Sequence, residues 1–149
     1  SGGSGNDLLV GGSGNDNLTG GLGADVFKWE LADAGTAGTP ATDTVTDFDL
    51  VPGSDVLDLR DLLVGEAANA ASLDNYLHFE VTGGNTIIHI SSSGGFGDNN
   101  NISIGSAGVS TATETQQIVL QGVDATALGF TTDQQIIQAL LDNNKLVTD

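Results

Sequence analysis

Nine-residue repeats at the start of the chain restrict its possible folds more than any other feature of the sequence. Three consecutive segments, residues 2–10, 11–19 and 20–28, follow the pattern GGxGxDxUx, in which U is an apolar residue. A three-residue xUx strand spans only about 10 Å and buries one side chain, so it is not stable alone. The pattern therefore predicts a coil in which short strands stack on one another.

The six residues that open each repeat predict tight turns that bind a cation. Their glycines permit positive φ angles and let the backbone come close to an ion. Two repeats complete one turn of the coil, so each turn stacks on the turn two repeats further along and brings carbonyl oxygens and two Asp carboxylates into one gap. Calcium prefers about 6–8 oxygen ligands, and nonapeptide repeats of this kind form calcium-binding parallel β-helices. A flexible Gly-rich linker is the alternative, but the regular apolar positions argue against it.

The same spacing predicts which turns share a cation. Asp7 and Asp25 are two repeats apart, and a further step of the same length leads to Asp43. Asp43 lies in the degenerate repeat GTPATDTVT of residues 38–46, which has Val45 at the apolar position. One side of the coil is therefore expected to stack three turns and to hold about two calcium ions.

The middle repeat offers a further candidate half-site on the opposite side of the coil. The residue two repeats after Asp16 is Ala34, and the acid Asp33 lies one position out of register. The other face of this turn is expected to pair with an upstream turn. Asp47 and Asp49 follow the last turn and are interpreted as solvated loop acids, with capping of the coil as the alternative.

The charge of the chain favours a cation as its partner. The sequence has 3 Lys and Arg residues against 20 Asp and Glu residues, a formal charge of −17. This charge argues against nucleic acid and anionic membranes as partners, because both are polyanions. The chain contains no Cys, which excludes disulfides and thiolate sites. Because no apolar run approaches the ~18 residues of a membrane span, we expect no direct membrane insertion.

The residues after the repeats predict a capping domain built mostly of strands. Residues 76–82 and 86–91 alternate apolar and polar side chains around a Gly-rich loop, which predicts a β-hairpin. Residues 61–71 predict a short helix broken near Gly65, and residues 132–141 predict a second helix that opens with a capping box. The expected domains are a calcium-binding roll over residues 1–46 and a cap over residues 47–149.

No catalytic arrangement is predicted, and we expect no enzymatic activity. His78 and His89 could meet Glu80 across the hairpin and form a metal or acid–base site, but solvent-facing positions are the favoured interpretation. The sequence shows no Ser-His-Asp spacing, no HExxH motif and no P-loop. Trp29 follows the last strong repeat and is interpreted as a plug of the coil core rather than as a ligand-stacking residue.

These segments resemble the C-terminal end of RTX proteins, the calcium-dependent substrates of bacterial type I secretion. The resemblance is carried by GGSGNDLLVGGSGNDNLTGGLGADVFKW, by DTVTDF at residues 43–48 and by SDVLDLRDLL at residues 54–63. QQIVLQGVD at residues 116–124 and IIQALLDNNKLVTD at residues 136–149 are similar to the type I secretion target domain of large repetitive adhesins, including biofilm adhesins. The resemblance implies an all-β fold: a right-handed parallel β-roll followed by a β-sandwich-like cap with one or two short helices.

The resemblance also implies the calcium ligands. In such rolls one turn supplies its second and fourth carbonyls and its Asp, and the turn one coil further on supplies its first and third carbonyls and its Asp. The implied ligands of the first site are Gly3, Gly5 and Asp7 with Gly20, Leu22 and Asp25. The implied ligands of the second site are Gly21, Gly23 and Asp25 with Gly38, Pro40 and Asp43. In the middle turn the corresponding residues are Gly12, Gly14 and Asp16.

The function implied by the resemblance is a non-enzymatic module that calcium folds. It would carry an uncleaved secretion signal in its last several dozen residues, read by the ABC exporter of a type I system. We expect a monomer that is secreted or displayed on the bacterial cell surface. Two alternatives stay open: the C-terminal secretion domain of an RTX protease or lipase, and a ligand-binding adhesive head. Upstream sequence would identify the first, and the second expects more aromatic residues than a single Trp and a single Tyr.

Overall fold

Short parallel strands joined by tight turns form the first part of the chain in a computed structural model, which describes residues 1–51, 53–97, 101–105 and 112–149. The strands are β1 (Gly3–Ser4), β2 (Leu8–Val10), β3 (Asn17–Leu18), β4 (Gly21–Leu22), β5 (Val26–Glu30), β6 (Ala41–Val45) and β7 (Val56–Asp61). They alternate between two sides of a coil: β2, β5 and β7 pair in parallel on one side, and β3 pairs with β6 on the other.

The apolar position of each repeat lies inside this coil, as the pattern predicts. Leu9, Leu18 and Phe27 are 6%, 6% and 0% exposed. Leu9 lies opposite Phe27, Phe27 lies opposite Leu57, and Leu18 lies opposite Val45 in the paired strands. Each such side chain contributes about 1.5–3 kcal/mol when it leaves water, so strands this short are stable only as a stack.

The later part of the chain forms a hairpin, further strands and two helices. The elements are α1 (Ala70–Leu73), β8 (Leu77–Thr82), β9 (Asn85–Ile90), β10 (Ser103–Ile104), β11 (Gln116–Leu120), α2 (Asp133–Asp142) and β12 (Leu146–Val147). Strands β8 and β9 pair antiparallel, and Gly83 and Gly84 join them with φ angles of 60° and 79°. Positive φ at both residues is typical of the two-residue hairpin turn, so the predicted hairpin is confirmed.

The helix expected over residues 61–71 is wrong. Strand β7 continues to Asp61, and the helix begins only at Ala70. The expected break at Gly65 is present: this residue, with a φ of 84°, lies in the segment between them. Asn69 then starts α1 because its side chain accepts the N–H of Ser72.

Helix α2 begins as the capping box predicts. Thr132 accepts the N–H of Gln135, and the Gln135 side chain accepts the backbone N–H of Thr132. Ile136, Ile137 and Leu140 on its inner face are buried in the core. Within the described ranges, no helix is long and apolar enough to cross a membrane.

Two sheets contain strands from both the repeats and the later residues. One sheet has six strands in the order β10-β8-β9-β11-β6-β3, and the other has four in the order β12-β7-β5-β2. Their buried side chains form one hydrophobic core. The mostly-β, roll-like fold expected from the sequence is confirmed. The domain boundary after residue 46 stays a prediction, and both sheets run across it.

Candidate calcium sites in the stacked turns

The turns of the first and third repeats stack directly on each other. Strand β1 pairs with β4, which places Gly3 opposite Gly21, the equivalent glycine two repeats further along the chain. The N–H groups of Gly3 and Gly5 donate to the carbonyl oxygens of Gly20 and Leu22 at 2.8 and 2.7 Å. The predicted register of this pair is therefore confirmed, and four of the six residues expected at the first site meet here.

Glycine is required where these two turns approach each other. Gly21 and Gly23 have φ angles of 105° and 136°. A Cβ on Gly21 would collide with the carbonyl oxygen of Gly3, and a Cβ on Gly23 would collide with that of Gly5. The second and fourth carbonyls of the first turn therefore lie against the third turn, where ligands are expected.

The Asp7 carboxylate has an oxygen that no protein donor satisfies. Its Oδ2 atom is buried without a hydrogen-bond partner, and a Cβ on Gly2 would contact both this atom and the carbonyl oxygen of Gly20. Asp25, which is 1% exposed, accepts the N–H of Asp7 with its Oδ1 atom at 2.8 Å. A buried carboxylate oxygen without a donor is costly. The gap between these turns therefore suits a calcium ion, which binds carboxylate and carbonyl oxygens.

The middle turn stacks on a different partner from the one predicted. The N–H of Asp16 donates to Oδ1 of Asp43 at 2.8 Å, across 27 residues. The N–H of Thr42 likewise donates to the side chain of Asn15. The expectation that Asp43 stacks on Asp25 is therefore wrong.

A long connection between β5 and β6 explains this difference. Residues 31–40 link the two strands in place of a six-residue turn. Val45 therefore lies on one side of the coil, whereas the two-repeat spacing predicts the opposite side. Gly38 donates its N–H to the carbonyl oxygen of Glu114 at 3.0 Å rather than meeting the third repeat. The second predicted site required these turns to stack on each other, and that stacking is absent. The ligands expected there were Gly21, Gly23 and Asp25 with Gly38, Pro40 and Asp43.

The middle turn shares the unsatisfied oxygen found in the first. Oδ2 of Asp16 is buried without a hydrogen-bond partner, beside the position that a Cβ on Gly11 would occupy. Gly12 and Gly14 have φ angles of 87° and 112°, and a Cβ on either would meet nothing within 4 Å. The calcium role of this turn stays a prediction, and its Asp has the same need for a cation as Asp7.

Asp43, in contrast, is satisfied entirely by the protein. Its Oδ1 atom accepts the N–H of Asp16, and its Oδ2 atom accepts the indole N–H of Trp29 at 2.7 Å and the amide of Gln116 at 2.9 Å. Burial raises the pKa of the Asp43 carboxyl, and these hydrogen bonds oppose that shift. Trp29 is buried, as the predicted core plug requires. Its specific role is to donate its indole N–H to the Asp43 carboxylate.

The segment between β6 and β7 closes the other side of the coil beneath the third repeat. Asp55 accepts the N–H of Asp25 at 3.1 Å. The two oxygens of Asp47 accept the N–H groups of Gly20 and Gly21, each at 2.9 Å. Asp47 therefore caps the coil, as the alternative interpretation proposed, and the residue itself stays exposed to solvent.

A buried polar network joins β8 and β9, where solvent-facing residues were expected. His78 and His89 lie opposite each other in the hairpin, are 2% and 4% exposed, and have ring centroids 6.0 Å apart. His89 contacts Glu80 through Nε2 at 2.9 Å and Glu114 through Nδ1 at 2.5 Å. The solvent-facing interpretation is wrong, because β8 and β9 are inner strands of the six-stranded sheet, flanked by β10 and β11.

His89 is surrounded by negative charge. Burial alone lowers the pKa of His89, but the hydrogen bonds and charges of Glu114 and then Glu80 outweigh it and raise the pKa above its usual value. Because both ring nitrogens face carboxylates, the protonated ring can donate to both. Among the described residues, no group of three or more His, Asp or Glu side chains could hold a metal ion.

Ser103, His78 and Asp133 form a connected row that their distant positions in the sequence do not reveal. Ser103 Oγ lies 2.8 Å from Nε2 of His78, and Nδ1 of His78 lies 2.6 Å from Oδ2 of Asp133. The other Asp133 oxygen accepts the N–H of Phe79 at 3.1 Å. The order is that of a catalytic triad, but all three side chains are buried, Ser103 with 9% exposure. We interpret the row as a structural link that fixes the start of α2 on β8.

Comparison with known proteins agrees with the geometry of the turns. Residues 1–27 match the family of the RTX calcium-binding nonapeptide repeat (4 copies). No curated protein sequence matches the chain. The solution structure of the AlgE6R3 subunit from the Azotobacter vinelandii mannuronan C5-epimerase is similar, with 24% identity and a TM-score of 0.51 over 98% of this chain. The AlgE6R2 subunit of the same enzyme matches 80% of this chain with 26% identity and a TM-score of 0.47. The chain spans 65% of the length of each.

Proposed function

Because the chain opens with calcium-binding RTX repeats on a roll-like fold, we propose that it is the calcium-folded C-terminal module of a large secreted or surface adhesin. RTX repeats are typical of secreted proteins. The observation that carries the calcium role is the pair of buried, unsatisfied oxygens on Asp7 and Asp16. Both belong to the sixth position of a glycine-rich turn, where the repeat pattern calls for a ligand.

Calcium binding would couple the folding of this module to its location. In the cytosol free calcium is scarce, and a chain of formal charge −17 keeps its acidic turns apart by repulsion. Outside the cell, an ion that binds only the folded turns stabilises them by about 2.7 kcal/mol per site when calcium is about 100 times the dissociation constant. Two such sites would add about 5 kcal/mol, which is comparable to the whole stability of a small domain.

The second part of the proposal is a type I secretion signal in α2 and the tail that follows it, read by an ABC exporter. In the folded chain α2 buries its inner face, and β12 pairs with β7. The exporter would therefore engage this segment before it docks on the sheet. The sequence similarity of residues 136–149 to secretion target domains supports this assignment.

Secretion of a truncated chain tests the export assignment. Deletion of residues 131–149 should abolish secretion through a matching type I exporter, measured as protein in the medium. The control is the double variant Asp7→Asn/Asp16→Asn, which weakens the calcium turns, leaves the tail intact and should still be exported. Normal secretion of the truncated chain would refute the export assignment. The deletion also removes β12 from the four-stranded sheet, so calcium binding is measured on the Asn variants instead.

A second candidate is the calcium-binding module of a secreted enzyme, such as a protease or lipase. One solved structure of similar fold is a subunit of a mannuronan C5-epimerase, and that likeness is one of fold. The sequence upstream separates the two candidates. An HExxH or GxSxG motif in its predicted strand-and-helix context would favour the enzyme, and long tandem repeats would favour the adhesin.

A further inference from the structure

Lys145 is the one buried residue among the three Lys and Arg residues of the chain. It is 1% exposed, whereas the side chains of Lys28 and Arg60 are 24% and 52% exposed and form surface ion pairs. A buried ammonium is costly unless oxygen atoms surround it. Because Lys145 is buried, solubility does not explain why the chain has a lysine at this position.

The ammonium of Lys145 lies against the segment that closes the coil. Its Nζ atom donates to the carbonyl oxygen of Asp49 at 3.1 Å and to Oγ of Ser54 at 2.6 Å. Burial lowers the pKa of Lys145, and the negative charges of Asp55 and Asp49 counteract that shift and favour the ammonium. Carbonyl, hydroxyl and carboxylate oxygens are also the ligands of a hard cation such as calcium.

The position of Lys145 continues the column of Asp residues that begins in the first repeat. The N–H of Asp7 donates to Asp25 at 2.8 Å, and the N–H of Asp25 donates to Asp55 at 3.1 Å. Asp7, at the top of the column, has a buried oxygen without a protein partner. Asp55, at the bottom, accepts a second N–H, from Asp49, and lies in the field of Lys145. We call each Asp of this column, with the turn that carries it, one level of the stack. The first level, at Asp7, therefore lacks a positive charge from the protein, and the last level, at Asp55, contains one.

The backbone on both sides of Lys145 is fixed, so this placement is built into the fold. Asn144 has a φ of 54°, and the N–H groups of Asn144 and Lys145 donate to the carbonyl oxygens of Leu141 and Leu140. This is the Schellman arrangement that ends a helix. The Lys145 carbonyl then accepts the N–H of Leu57 at 2.7 Å, as β12 joins β7.

From these contacts we propose that the ammonium of Lys145 is a built-in cation that takes the place of a calcium ion at the last level of the turn stack. It thereby sets where the calcium-binding levels end. The inference rests on calcium binding by the repeats and adds the residue that limits it. The chain closes the stack with its own C-terminal segment, so this level is complete without a metal.

The variant Lys145→Met tests the proposal, because it keeps an unbranched side chain of similar size and removes the charge. Calcium per chain is measured by equilibrium dialysis and elemental analysis, and thermal unfolding is followed in chelator and in millimolar calcium. We expect Lys145→Met to unfold at a lower temperature than the wild-type chain in chelator. Calcium should restore most of this loss, with about one additional ion bound per chain. The matched control Lys28→Met removes an exposed charge and should change neither calcium content nor its stabilising effect.

Three results would overturn the proposal. They are an unchanged calcium content, an equal loss of melting temperature in chelator and in calcium, and failure of the variant to fold at any calcium concentration. Each would make Lys145 a packing residue. The wild-type chain in the same dialysis tests the repeats separately. If the wild type binds no calcium, the calcium role of the turns fails, whatever Lys145→Met shows.

Discussion

The repeat turns and the layer that closes the roll satisfy their Asp carboxylates in opposite ways. In the repeats, Asp7 and Asp16 each keep a buried oxygen for which the protein supplies no donor. In the closing layer, Asp43, Asp47 and Asp55 have donors from the protein for both oxygens. A calcium-dependent stack can therefore end without a metal when indole, amide and backbone N–H groups replace the ion.

The two regions also differ in how their turns are built. The repeat turns use glycines with positive φ, and Gly21 leaves no room for a side chain against Gly3. The closing connections are longer and hold their shape with side chains, such as Ser54, whose hydroxyl contacts the carbonyl oxygens of Asp49 and Val51. Glycine brings the backbone close to an ion, whereas side-chain hydrogen bonds make a turn self-sufficient.

The largest expected effect is that of a side chain at the point where the turns meet. Gly21→Ala should cost about 2–5 kcal/mol, because it combines an unfavourable φ with a clash against the Gly3 carbonyl. Gly122→Ala is the control, since Gly122 has a φ of 76° and open space around its Cβ position. It should cost only about 1–2 kcal/mol. Urea unfolding in calcium measures both, and equal losses would show that the close approach is unimportant.

A matched pair of isosteric changes separates the two kinds of acid on one side of the coil. Asp16→Asn should weaken calcium binding and leave stability in chelator unchanged or higher, because it removes a buried charge without a donor. Asp43→Asn should leave calcium binding unchanged and lower stability by about 1–3 kcal/mol with or without calcium, because it weakens the bonds from Trp29 and Gln116. Calorimetry and thermal unfolding distinguish them. Loss of calcium in Asp43→Asn would place the ion at the closing layer.

Much of the repeat region could be predicted because its structure depends on local pattern. The positions of Leu9, Leu18 and Phe27, the pairing of Gly3 with Gly21, and the capping box of α2 all follow from residues close in sequence or from a strict period. The partner of Asp43 could not be predicted, because the length of an irregular connection is not encoded in the period. One such connection moved this acid to the other side of the coil.

The donors that complete the closing layer come from distant parts of the sequence. Lys145 is 96 residues from Asp49, and Gln116 is 73 residues from Asp43. Outside this layer, His78 is likewise 55 residues from its partner Asp133. Periodicity carries no information about such pairs, because tertiary packing alone brings them together. Charge offered one clue: a single basic residue near the end of an acidic chain was available as a partner for buried oxygens.

A smaller effect, outside both layers, is expected from His89. Because folding raises its pKa, its contribution to stability is fully present below the unfolded pKa of about 6.5 and is lost as pH rises through the folded value. The wild-type chain in saturating calcium should therefore lose stability above this pH, and His89→Gln should show a flatter profile. Parallel profiles for the two proteins would remove His89 as the cause.

Hydrogen exchange of the full chain, read by mass spectrometry with and without calcium, tests the difference between the two layers most directly. Calcium should slow amide exchange in residues 2–25 by about tenfold or more, and it should change β6 and β7 much less. Magnesium should reproduce little of this, because carbonyl-rich sites suit the larger ion. Protection concentrated in the repeat turns is the expected result. Equal protection of both layers, or none in the turns, would contradict it.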